Sequence, residues 1–190
     1  MDQIKLDLHI PFDVTLDVEP SIIDATNNAG HGDERWRLLW HDPMRSQHLD
    51  DTKEVVESLQ ENCRNLLLIG IGGSSLGAKA LHNALAIQSD DVPNFFVLDT
   101  IDPHTVLGTI ECIRSDDPSF EQTVVVVVSK SGETAEISAL SMVIKSAMPN
   151  ATFVAVTGES GTLRRIATQN NWKSLPIPEG VGGRFSVLSP

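Results

Sequence analysis

The chain has 190 residues, of which 41% are hydrophobic and 21% charged, with a formal net charge of −12. That length allows one compact domain with a real core plus an N-terminal extension, and the composition is globular rather than disordered. The acidic excess, concentrated in the first third, repels nucleic acid and anionic membrane, so an anionic ligand needs a local arrangement of donors.

Residues 1–32 mix Pro11, Pro20, Gly30 and Gly32 with many acids and no sustained periodicity, which predicts an irregular arm or short packed helices. Trp36, Leu39 and Trp40 then fall at helical spacing behind Asp33 and Glu34, and Pro43 ends the run. A short helix is expected there, its tryptophans packing on a core. Residues 1–45 are accordingly read as an arm and residues 46–190 as the domain proper.

From residue 50 the pattern is regular. A helical stretch Asp51 to Cys63 leads to the apolar run Leu66 to Ile69, then glycines, then a helical stretch Ser75 to Ile87. Further strands are predicted at Phe95 to Leu98, Val124 to Val128, Phe153 to Val156 and Ser174 to Ile177, with helices around 103–113, 134–146 and 160–170. Runs such as the five valines Val124 to Val128 cannot have a wet face, so the sheet should be parallel and covered by helices on both sides. The expected fold is a three-layer α-β-α, doubly wound sheet of about five strands, of flavodoxin-like type.

The longest apolar run is far too short for a membrane-spanning helix, which needs about 20 residues. Nothing before residue 30 reads as a secretory signal, and Cys63 and Cys112 lack C-x-x-C spacing. A cytoplasmic location is therefore expected.

Ligands of open parallel sheets lie beyond the carboxyl ends of the strands. The first strand ends in Gly70-Ile71-Gly72-Gly73-Ser74-Ser75-Leu76-Gly77. A dinucleotide fingerprint would need glycine at Ser75, although Asp99 is the kind of acid that holds a ribose; a phosphate-binding Walker loop would need lysine directly after Gly77, where Ala78 stands. The loop reads as an anion or sugar site, or as a tight turn. The third strand ends in Ser129-Lys130-Ser131-Gly132-Glu133-Thr134. Three hydroxyls and an ammonium at a helix start suit a phosphomonoester dianion, against the alternative of a plain Ser or Thr cap. Glu133 and Glu136 read as acids at a helix start, and His9, His31, His41, His48, His82 and His104 lack ligand or triad spacing. The last loop, Gly180-Val181-Gly182-Gly183-Arg184-Phe185-Ser186, brings one arginine behind glycines.

Taken in order, these three loops resemble the phosphoglucose isomerase family, and the resemblance extends over about residues 50–190. It implies a SIS (sugar isomerase) domain forming the N-terminal part of an enzyme that interconverts glucose 6-phosphate and fructose 6-phosphate through an enediolate, in glycolysis and gluconeogenesis, without metal or cofactor. Carried over by position, Gly73 and Ser74 would contact the sugar phosphate. Ser129, Lys130, Ser131 and Thr134 would form the phosphate cradle, and Arg184 would sit by the enediolate oxygens as the catalytic group of this part. Ala135-Glu136-Ile137 departs from relatives that carry a further hydroxyl there. The glutamate base, a ring-opening histidine and a late lysine of the family have no match before Pro190, so the chain alone is expected to bind phosphosugar without completing the reaction. The resemblance also implies a homodimer for the full-length protein. Two other readings compete: a non-catalytic phosphosugar sensor, and an isomerase of another phosphosugar.

Overall fold

The computed structural model describes residues 36, 38, 39, 42–85, 92–183 and 185. The arm at residues 1–32 lies outside them, as do Trp40 and most of the predicted tryptophan helix; Trp36, Leu38 and Leu39 are in tight 3-10 turns. Five strands, β1 (Asn65–Ile69), β2 (Asn94–Leu98), β3 (Thr123–Ser129), β4 (Thr152–Thr157) and β5 (Lys173–Pro176), form one sheet in the order β2-β1-β3-β4-β5. Every pairing is parallel. This is the flavodoxin-like order, with its switch point between β1 and β3.

The α-helices among the described residues are α1 (Arg45–Gln60), α2 (Leu76–Leu85), α3 (Pro103–Asp116), α4 (Ala135–Ala147) and α5 (Thr162–Gln169). One sheet face, with Val125, Val127, Phe153 and Ala155, packs on Val106, Ile110 and Ile113 of α3, Ile137, Leu140 and Ile144 of α4, and Leu163 and Ala167 of α5. Fully burying a Val, Leu, Ile or Phe side chain of this set contributes about 1.5–3 kcal/mol. The opposite face carries Val126, Val128, Val156 and Leu175 against Val55 of α1, while His82 of α2 lies with its ring centroid 4.5 Å from that of Phe95. Val126 and Val128 are only half-buried there.

The element boundaries follow local chemistry. Asp102 accepts from Thr105 N at 2.8 Å and Pro103 takes the first helical position, so α3 starts where its sequence directs. Those Thr105 hydrogen bonds hold the Asp102 carboxyl below its ordinary pKa. Arg164 fastens the sheet's far edge, donating to the Thr157 and Gly158 carbonyls and to Ser174 Oγ. Burial raises the pKa of the Cys63 thiol, which makes it a poor nucleophile.

The turn into β3 is built on Asp117, 4% exposed. Its carboxylate accepts from Gln122 N at 2.9 Å and Thr123 Oγ1 at 2.8 Å. Asp117→Ala should lower the unfolding free energy by roughly 2–4 kcal/mol, because the buried Thr123 hydroxyl and the partly buried Gln122 amide lose their acceptor. A denaturant midpoint equal to the wild type's would contradict that role.

Candidate active site

The loop after β1 owes its shape to glycine. A Cβ on Gly70 would lie 2.5 Å from the Ser74 carbonyl oxygen, so the chain can fold back on itself only without one. A 3-10 turn, Gly72–Ser74, follows, with Gly72 at φ +60°. Ser75, fully buried, closes this turn by donating its amide and hydroxyl to the Gly72 carbonyl at 3.1 and 3.3 Å. Ser75 is therefore structural, while Gly73 and Ser74 face the space beside it. Asp99, the potential ribose ligand, pairs instead with Lys79 at 3.1 Å.

The loop after β3 presents donors. Ser129 Oγ, 3% exposed, accepts from Gly132 N at 3.2 Å and lies 3.2 Å from Thr134 Oγ1. Thr134 occupies the N-cap position of α4, yet its side chain makes no capping hydrogen bond. The first amides of α4 therefore receive no acceptor from Thr134, and the positive end of a helix favours an anion. Ser131 Oγ accepts from Glu133 N at 3.2 Å, which still leaves its proton to donate.

The two loops meet in an open cleft of about 390 Å³ at the β1/β3 switch point. Gly73 and Ser74 line one side, Ser129, Lys130, Ser131 and Thr134 the other, and Gly183 closes it from the last loop. Its size is in the range of small-molecule sites. Six residues singled out from the sequence are thus brought together. Arg184 lies outside the described residues, although Gly183 beside it borders the cleft and Phe185 stacks on Trp36 at 4.4 Å.

Ile71, Val128 and Ile137 form the apolar part of the wall. Sequence reasoning missed them as site residues, since Val128 and Ile137 carry the same signal as any core position. No carboxylate or imidazole is among the described residues lining the cleft. Glu133 precedes α4, and its carboxylate accepts from Thr162 N at 2.6 Å and Thr162 Oγ1 at 2.9 Å, at the start of α5. Glu136 does lie in the first turn of α4, where the dipole favours it. His82 packs on Phe95, and His9, His31 and His41 lie outside the described residues.

The family model described as phosphoglucose isomerase matches residues 46–190. A protein of Haloarcula marismortui named "Probable glucose-6-phosphate isomerase" is 42% identical over 134 residues, covering 67% of this chain and 29% of that protein. The glucose-6-phosphate isomerase of Rubrobacter xylanophilus is 36% identical over 164 residues, covering 78% of this chain and 37% of that protein. The chain thus spans about a third of the curated relatives it matches. Among solved structures, a hypothetical protein of Thermus thermophilus superposes with a TM-score of 0.66 at 33% identity, covering 90% of this chain and 42% of that one. A phosphoheptose isomerase of Francisella tularensis, at 15% identity and a TM-score of 0.54 over 88% of this chain and 94% of that one, shares the fold.

Proposed function

The chain belongs to the phosphoglucose isomerase family, and from that premise we propose that the whole protein interconverts glucose 6-phosphate and fructose 6-phosphate, with this domain gripping the phosphate. The observation that carries the reading is the convergence of Ser129, Ser131, Thr134 and Lys130 at the uncapped start of α4, opposite Gly73 and Ser74. Hydroxyls and amides donate to the phosphate oxygens, and the ammonium and helix end balance the dianion. The sugar carbons then extend toward the Gly182–Gly183 segment. There Arg184, always protonated, stabilises the enediolate oxygens without carrying a proton. The base that moves the proton between C2 and C1 comes from outside the described residues.

We assign residues 1–45 to an arm and residues 46–190 to the phosphosugar-binding domain. The full-length protein is proposed to act as a cytoplasmic homodimer in glycolysis and gluconeogenesis, using no metal or cofactor.

Calorimetric titration of the 190-residue chain with glucose 6-phosphate tests the cradle. Because the second phosphate pKa is about 6, the dianion fraction, and with it the apparent affinity, should fall about fourfold between about pH 7.5 and about pH 5.5. Inorganic phosphate should compete. Binding that is indifferent to both would place recognition on the sugar hydroxyls and remove the cradle's role.

A further inference from the structure

We propose that Glu133 is a positioning residue, whose carboxylate pins the cradle loop to the start of α5 and thereby keeps the loop's donors turned toward the ligand. The proposal rests on reading residues 129–134 as the phosphate cradle. Both carboxylate oxygens are engaged, Oε1 by Thr162 N at 2.6 Å and Oε2 by Thr162 Oγ1 at 2.9 Å. The partners are 29 residues apart in sequence, so this is a tertiary tether and not a local turn.

Two backbone bonds run in parallel with it. Gly158 N donates to the Lys130 carbonyl at 3.1 Å, and Leu163 N to the Gly132 carbonyl at 3.0 Å. Carbonyl oxygens facing a phosphate would repel it; here two of the loop's carbonyls are occupied on the side of the β4–α5 connection. With Gly132 N and Glu133 N taken up by Ser129 Oγ and Ser131 Oγ, the loop's hydroxyls and the first amides of α4 are what remain for the cleft. The approach of the two segments is close enough to demand glycine: at Gly161, φ is +101° and a Cβ would lie 2.6 Å from the Ser131 carbonyl oxygen and 3.3 Å from Glu133 Oε1.

The same geometry resolves a conflict of charge. A free carboxylate one residue before the N-cap of α4 would compete with the phosphate for the helix end. Held by two donors at the positive end of α5, its charge is compensated where it sits. The tether therefore does two things: it fixes the loop, and it keeps an acid out of an anion site.

The test measures glucose 6-phosphate affinity and denaturant stability in the 190-residue chain and in Glu133→Ala, Glu133→Gln and Thr162→Val. Glu133→Ala should weaken binding about tenfold or more, since loss of preorganisation in a polar site is felt at the ligand. Glu133→Gln, which keeps a carbonyl oxygen for Thr162 N, should restore affinity to within about threefold of wild type. Thr162→Val should fall between, and adding it to Glu133→Ala should cost little more, because both changes break one tether. A folded Glu133→Ala that binds as wild type does would overturn the positioning role; tighter binding would show that the carboxylate merely repels the ligand. If Glu133→Ala does not fold, unchanged affinity in Thr162→Val overturns the proposal instead. Failure of the wild-type chain to bind would remove the cradle reading itself, and the tether's purpose with it.

Discussion

Purified, the 190-residue chain is expected to bind glucose 6-phosphate and to isomerise it at least about 10² to 10⁴ times more slowly than when supplemented with the remaining part of a full-length relative. The expectation comes from what lines the cleft. Serines, a threonine and a lysine can hold a phosphate there, and no carboxylate or imidazole among the described residues borders it. Of the acids beside the β3 loop, Glu133 has both oxygens bound by Thr162, and Glu136 sits in the first turn of α4. Proton transfer between C1 and C2 needs a base within hydrogen-bond reach of both carbons. In its proposed role Arg184 would stabilise the charge of the enediolate, and a guanidinium that stays protonated cannot accept the proton. A coupled assay of fructose 6-phosphate conversion reads the difference. Equal rates with and without the supplement would locate the base within residues 1–190 and overturn the assignment of roles.

Gly70→Ala should have the second largest effect. Its new Cβ would meet the Ser74 carbonyl oxygen at 2.5 Å and the Ser74 carbonyl carbon at 2.9 Å, and neither backbone atom can swing aside as a side-chain end would. The Gly72–Ser74 turn must then move, taking Gly73 and Ser74 off the cleft wall. We expect a loss of about 1–3 kcal/mol in stability, as for other overpacked sites, together with a drop of about tenfold or more in phosphosugar affinity. Gly72→Ala is the contrasting control. Nothing lies within 4 Å of its Cβ, so only the cost of φ +60° applies, about 1–2 kcal/mol. Equal affinities for the two variants would show that the turn's position does not matter to the ligand.

Most of the sheet is legible in the sequence because its signal is local. Uninterrupted apolar runs such as Val124 to Val128 admit only a strand covered on both faces, and the observed parallel ladder at β3 follows from them. The start of α1 is misread for an equally local reason. Periodicity places it at Asp51, but the helix begins at Arg45, whose next residues, Ser46 to Asp50, include one apolar side chain, the exposed Leu49, and offer no repeat. Strand β5 lies one residue earlier than predicted, Lys173–Pro176 against Ser174 to Ile177, at the sheet's edge, where patterning is weakest.

The candidate site is legible where side-chain type and strand ends coincide. Serines, threonine and lysine directly after five valines mark a candidate anion loop by residue order alone, and the structure brings them onto one cleft. What cannot be read there is how each hydroxyl is used. Thr134 has the sequence of a cap and the position of a cap, yet pairs with Ser129 Oγ instead. Ser75 looks like a second ligand hydroxyl beside Ser74 and is consumed by its own turn. Glu133 looks like an ordinary helix-start acid, because its partner Thr162 is brought to it only by the fold.

If the β1/β3 cleft holds the phosphate of a sugar phosphate, amide resonance mapping will show it there. With the 190-residue chain and glucose 6-phosphate raised to about millimolar concentration, where a binding free energy of about −4 kcal/mol is half-saturating, the largest shifts should fall at Gly73, Ser74 and residues 129–137. The same set, less the sugar-side residues, should respond to inorganic phosphate. Ligand-dependent shifts confined to other regions, with the Ser129 to Thr134 amides unmoved, would contradict it.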